Sequence, residues 1–137
     1  MSGAELAEAA LGLVGAPFRL HGRDPATGLD CVGLVAAALT RCGRTPLAPV
    51  GYRLRALSVS PLLGFVERNG FEPVACTEPR AAGELLLLHP SPLQAHLAIT
   101  LAGCDWIHAH AGLGRVVRET AASPWPVAAR WRLKTKG

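Results

Sequence analysis

The sequence predicts one α+β domain in which N-terminal helices, one of them begun by a cysteine, pack on an antiparallel sheet. Three observations lead there. Apolar residues recur at helical spacing up to about Arg68, and after Gly70 they fall into short runs separated by Gly, Pro or Asp. The chain has 137 residues, 50% of them hydrophobic, which suits one domain with one core and no disulfide or metal staples. No internal repeat, low-complexity stretch or linker divides it, so residues 1–137 are expected to form one unit.

Ser2-Gly3-Ala4-Glu5 is a capping box, and Leu6, Ala9, Ala10, Leu13 and Val14 continue from it on one helical face. That helix is predicted to run to about Val14, with Gly15-Ala16-Pro17 ending it. The stretch from Phe18 to Gly28 carries Gly22, Pro25 and Gly28 among charged residues and reads as a shaped loop. Asp30 is a good N-cap for a second helix, in which Val32, Leu34, Val35, Ala38 and Leu39 leave little polar surface, and Gly43 closes it. The second helix is therefore expected to be buried. Ser60, then Pro61 at the first helical position, with Asn69-Gly70 as the stop, mark a third helix from Pro61 to Arg68. Thr45 to Ser58 has no clear pattern. Phe71–Val74, Glu84–His89, His96–Leu101, Trp106–Ala111, Arg115–Thr120 and Arg130–Leu133 read as strands.

The formal charge of +4 is modest, and a nucleic-acid partner is not expected. Arg130, Arg132, Lys134 and Lys136 concentrate part of it at the C-terminal end, where a solvated basic face is the favoured reading over a site for a polyanion. Met1 to Glu8 is acidic and lacks the basic-then-apolar order of a secretory leader, and no apolar run is long enough to span a bilayer. The expectation is a protein made in the cytoplasm without a signal peptide. Cys31, Cys42, Cys76 and Cys104 form no CxxC pair and are expected to be thiols. Cys104, His108 and His110 match no standard zinc spacing, and no metal or cofactor is expected.

Cys31 opens the second helix, where unpaired N–H groups and the helix dipole favour a thiolate. Gly28 and Gly33 flank it and leave room for a substrate backbone to reach the sulfur. Asp30 opposes ionisation, so a histidine partner is required. His96 and His108 fall in adjacent predicted strands, twelve residues apart. A two-residue turn at Gly103-Cys104 would place them on opposite faces, whereas a three-residue loop Leu101-Ala102-Gly103, with Gly103 left-handed, would pair them on one face. Spacing alone leaves both open. On one face, His96 would take the proton of Cys31 and His108 would orient His96. By themselves, such features are more often inert than catalytic, as the scattered His21, His89 and His110 illustrate.

Gly15-Ala16-Pro17-Phe18-Arg19-Leu20-His21-Gly22, followed by Gly28-Leu29-Asp30-Cys31-Val32-Gly33-Leu34-Val35, resembles the hallmark of the NlpC/P60 peptidases, papain-like hydrolases of the cell wall. Ala82-Gly83-Glu84-Leu85-Leu86 resembles the family's Pro-Gly-Asp strand entry, and His96-Leu97-Ala98-Ile99 with Ile107-His108-Ala109 resembles its two histidine strands. The resemblance covers roughly Leu6 to Thr120 in the family's order. It implies a papain-like fold, Cys31 as nucleophile, His96 as general base, His108 as the orienting residue, and a peptidoglycan stem peptide as substrate of a thiol peptidase. The shorter phage-type and gene-transfer-agent-type members, which act beside tail proteins and open the wall during particle entry, are the most similar in length, and they imply action at the cell wall or periplasm through such a particle.

Two departures bear on substrate. Phe18 stands where the family usually has a tyrosine, keeping the ring and losing the hydroxyl near the developing oxyanion. Val32 replaces a serine that, with the aspartate matched by Asp30, helps hold the stem-peptide amine. An amidase or acyl transferase of the same fold, or a catalytically inactive tail or adaptor protein, are the alternatives. Trp106, Trp125 and Trp131 are read as core or core rim, and Arg53 with Arg55 as solvated.

Overall fold

The structure, a computed structural model, describes residues 2–49 and 60–134. Arg53, Arg55, Lys136 and most of the Thr45–Ser58 segment lie outside these. Ser2 caps α1 (Gly3–Leu11) as the sequence predicts: its hydroxyl accepts the Glu5 N–H at 3.2 Å, and the Glu5 carboxylate accepts the Ser2 N–H at 3.2 Å. The helix stops short of Val14 because the Leu13 and Val14 N–H groups turn back to Ala10 and Leu11, a tighter winding that leads into Gly15.

The Phe18–Gly28 loop is more ordered than its composition suggests. β1 (Arg23–Asp24) and β2 (Gly28–Leu29) pair antiparallel, and Phe18 forms a bridge to Leu29. Strands this short have no periodicity to read. The chain then enters α2 (Cys31–Arg41) at Asp30, whose carboxylate accepts the Gly33 N–H at 2.8 Å. At its far end Arg44 N–H reaches Leu39 O and Gly43 N–H reaches Thr40 O, both at 3.0 Å, the paired closure expected of a glycine cap. Cys31 to Leu39 are all buried. α3 (Ser60–Arg68) lies where expected. Asn69 does more than stop it: the buried side chain accepts Leu47 N–H and donates to the Leu47 and Phe65 carbonyls, tying the chain after α2 to the end of α3.

Among the described residues, six strands form one antiparallel sheet in the order β3-β8-β4-β5-β6-β7. They are β3 (Phe71–Pro73), β4 (Leu85–Ser91), β5 (Gln94–Thr100), β6 (Trp106–His110), β7 (Arg115–Glu119) and β8 (Val127–Leu133). Each run predicted after Gly70 is present with slightly shifted ends. Leu85, Leu87, Leu97, Ile99 and Ile107 join Leu6, Leu13, Leu34, Leu39 and Phe65 in the main core. Leu86, Leu88, Ala98 and Trp106 form a smaller cluster with Trp125 and Val127. Strand alternation sends neighbours to opposite faces, so Leu85-Leu86-Leu87-Leu88 is apolar throughout because both faces are covered.

The C-terminal basic residues depart from the solvated reading. β8 lies inside the sheet between β3 and β4, and Arg130 is only 3% exposed; both it and Arg132 reach the buried Glu84. Lys134 is exposed. Among the described residues no helix is long and apolar enough to cross a membrane, and all four cysteines are free thiols.

Candidate active site

Cys31 is the first residue of α2, delivered by β2, and its side chain is fully buried. α2 packs against β5 and β6. These two strands pair only at Ile99–Ile107 and Thr100–Trp106, although β5 begins at Gln94 and β6 continues to His110. Where the ladder ends, the backbone of Leu97 lies near enough to the sulfur of Cys31 to favour its thiolate. The thiol therefore rests against the residue that follows His96.

The hairpin that brings the histidines together uses neither predicted turn. Leu101 N–H bonds Asp105 O at 2.9 Å, which leaves Ala102-Gly103-Cys104 as the three-residue loop, with Gly103 left-handed at φ +71°. The loop is displaced by one residue because Leu101 is buried and belongs to the core. In the resulting register His108 lies diagonally across from His96 on the same face, a separation that long side chains span. His96 Nε2 and His108 Nδ1 are 2.8 Å apart, with ring centroids at 5.0 Å and planes at 82°. Trp106 stacks on His108 at 4.3 Å, and Trp125 presents edges to both imidazoles. His108 Nε2 in turn contacts Glu119 Oε1 at 3.2 Å. Among the described residues, neither imidazole is hydrogen-bonded to Cys31.

Burial controls the charges. It pushes the Cys31 thiol up to about 12, and the Asp30 carboxylate adds to this; the amides of Leu97, Val32 and Cys31 pull the other way. Burial also takes His96 down to about 3, helped by repulsion from His108 and His110. His108 is likewise lowered, first by burial, with Glu119 resisting and His110 assisting. At neutral pH the Cys31 thiol and the two imidazoles are thus uncharged at rest.

Asp30, Phe18 and the flanking glycines sit as follows. Asp30 is wholly buried, and its carboxylate takes His21 N–H at 2.9 Å, Gly33 N–H at 2.8 Å and Arg23 Nη1 at 3.2 Å. His21, held by that bond, has a left-handed φ of 60°. Phe18 is half-buried and lines a pocket of about 250 Å³ together with His96, His108, His110, Gln94 and Trp125. The room beside Gly28 and Gly33 is filled by the chain itself rather than left for substrate: a Cβ on Gly33 would lie 2.0 Å from the Gly22 carbonyl oxygen, and one on Gly28 2.4 Å from Arg19 Cβ. Gly33→Ala must displace backbone, so it is expected to cost about 3 kcal/mol and lower Tm by roughly 10 °C. A thermal melt showing a change under about 3 °C would contradict this packing.

Solved structures of NlpC/P60 proteins share this arrangement of helices and sheet. The chain superimposes on NlpC2 of Trichomonas vaginalis with a TM-score of 0.72 and 18% identity, over 99% of this chain and 48% of that one. The chain has the NlpC/P60 fold. The NlpC/P60 domain of the peptidoglycan hydrolase SagA matches with a TM-score of 0.59 and 24% identity, over 98% of this chain and 100% of that one. The P60 domain of an M. avium subspecies paratuberculosis antigen matches with a TM-score of 0.59 and 19% identity, over 96% of each. The chain thus spans about half the length of the Trichomonas protein and nearly the whole of the two isolated domains. No protein-family model and no curated protein matches the sequence.

Within the NlpC/P60 fold, sequence reasoning missed Glu119 and the placing of Trp125. Glu119 sits at the end of β7, across from Trp106, and only the β6–β7 register brings it to His108. Trp125 is core rim, as expected, and also pocket wall. Cys104 is exposed in the β5–β6 turn, away from the His108 ring that faces His96 and Glu119.

Proposed function

We propose that this chain is a cysteine hydrolase that cleaves amide bonds in peptidoglycan stem peptides through an acyl-enzyme on Cys31. The observation that carries this reading is the His96–His108 hydrogen bond at 2.8 Å, made where β5 and β6 part and where the Leu97 backbone lies near the Cys31 sulfur. In this reading His96 Nδ1 takes the thiol proton as sulfur attacks the carbonyl carbon. The amides of Cys31 and Val32 at the start of α2 receive the developing oxyanion. Collapse passes the proton from His96 to the leaving amine, and water then releases the acyl group from sulfur. Because thiol and imidazole begin neutral, proton transfer accompanies attack.

The test is incubation of the protein and of Cys31→Ala with purified stem peptides, followed by mass spectrometry. Cleavage by the first and none by the second is expected; equal products from both would sink the assignment. A place beside tail proteins in a phage-like particle belongs to the same proposal, and tail genes flanking the coding sequence would support it.

A second reading, an amidase or acyl transferase acting on another amide or ester, is favoured by the loss of polar groups. Val32 is wholly buried and carries no hydroxyl, Phe18 offers the pocket a bare ring, and Asp30 is turned to its own chain. Inert stem peptides together with an acyl-enzyme formed from a simple ester would select it.

A further inference from the structure

We infer that Glu119 is a positioning residue of this site, fixing through His108 which nitrogen of His96 is left to receive the Cys31 proton. The inference rests on the reading of Cys31 and His96 as a reacting pair.

The geometry is a line of three side chains from adjacent strands. Glu119 on β7 contacts His108 Nε2 at 3.2 Å, and His108 Nδ1 on β6 meets His96 Nε2 on β5 at 2.8 Å. His108 pairs with Val117 in the β6–β7 register, so Glu119 reaches it diagonally on the same face, as His96 does from the other side. His108 is 1% exposed and stacked under Trp106, which limits rotation of its ring.

A carboxylate only accepts hydrogen bonds, so His108 must carry its proton on Nε2. Its Nδ1 then presents a lone pair, and His96 must donate from Nε2. The remaining nitrogen of His96, Nδ1, is left with its lone pair and can act as a base. Without Glu119, His108 can move its proton to Nδ1 and donate to His96 Nε2; neutral His96 then holds its proton on Nδ1 and cannot accept another there. Among the described residues, the charged and titratable groups facing His108 are Glu119 from β7, His96 from β5 and His110 along β6. Trp106 and Trp125 supply the uncharged walls. Glu119 is the one anion among them, and it opposes the burial that lowers His108.

The experiment reads the tautomers directly. Two-bond 15N–1H correlations in the intact protein should show His108 and His96 both protonated on Nε2. In Glu119→Ala, His108 should shift toward Nδ1–H and its titration midpoint should fall, because the group that resists lowering is gone. Glu119→Gln, whose amide oxygen can still accept, should keep the wild-type tautomers in part. With a cleaved peptide, Glu119→Ala should lower kcat about 10–100-fold with little change in KM, as for other partners that orient a reactive imidazole. Glu119→Gln should restore part of kcat. A wild-type His108 protonated on Nδ1, or Glu119→Ala with unchanged tautomers, overturns the inference, as does unchanged kcat wherever a peptide is cleaved. Glu119 is 39% exposed, so its removal leaves the core intact, and a thermal melt checks this. If no stem peptide is cleaved, the proposed function fails on its own while the tautomers still decide the role of Glu119.

Discussion

At pH 7.5 iodoacetamide is expected to alkylate Cys31 at least about 10²-fold more slowly than the exposed Cys76 and Cys104. Cys76 and Cys104 are exposed, whereas Cys31 is fully buried and its thiol is pushed up to about 12. An ordinary thiol near 8.5 is about a tenth ionised at this pH, so the Cys31 thiolate is scarcer by roughly 3,000-fold. The greater nucleophilicity of a more basic thiolate returns about 30-fold, and steric exclusion acts against that. Tryptic mass spectrometry over a time course gives all four rates, and urea should bring them together. Cys31 reacting as fast as Cys76 in the folded protein would show an ionised, open thiol and overturn this electrostatic account. Slow alkylation is therefore no mark of an inert site here. On the proposed mechanism the sulfur is protected at rest and would become a nucleophile only as His96 takes its proton.

Much of the fold was legible because local chemistry and global packing agree. The capping box at Ser2 and Glu5, Asp30 before α2 and the Gly43 closure all formed as the residue types require. Elements decided by long-range pairing were harder. β1 and β2 are too short to show a period, and α1 ends early through backbone bonds that its apolar spacing does not foretell. Arg130 shows the largest disagreement. A basic residue near a chain end reads as solvated, yet the strand that carries it is an interior one, and sequence alone does not order the strands.

The geometry of the candidate site was only partly legible. His96 and His108 do share a face, as the chemistry required, but Leu101 belongs to the core and shifts the turn by one residue, so they meet diagonally. Gly33 marked a close approach, and the approaching atom is the Gly22 carbonyl rather than a substrate. Glu119 carried no signal of its own. Its position depends on a register across the Ala111–Gly114 turn, and an acidic residue at a strand end has many other uses.

Glu84→Gln is expected to destabilise the protein by about 3–5 kcal/mol, lowering Tm by roughly 10–20 °C. Glu84 is 1% exposed, with its carboxylate held by Arg130 Nε at 2.9 Å, Arg132 Nε at 2.9 Å and Ala81 N–H at 2.8 Å. Arg130 uses its other donors on the carbonyls of Ala75, Glu78 and Pro79, so the same ion pair fixes the chain entering β4. A glutamine of equal size keeps one acceptor but turns an amide N–H₂ toward a guanidinium, and it leaves Arg130 buried with an uncompensated charge. Burial alone would raise the Glu84 carboxyl; the bonds from Ala81, Arg130 and Arg132 and the Arg130 charge outweigh it and hold the group below the usual range. The unfolded chain therefore binds this proton first as pH falls. Its contribution to stability is complete above the ordinary glutamate pKa and is lost as pH drops through the lowered one. Urea midpoints measured from pH 7 down to about pH 3 should fall more for the wild type than for Glu84→Gln. Glu84→Asp, which keeps the charge and loses reach, should lie between them in stability at pH 7. A Glu84→Gln cost under about 1 kcal/mol would mean that water already reaches Arg130, and that the strand entry is held by its backbone bonds instead.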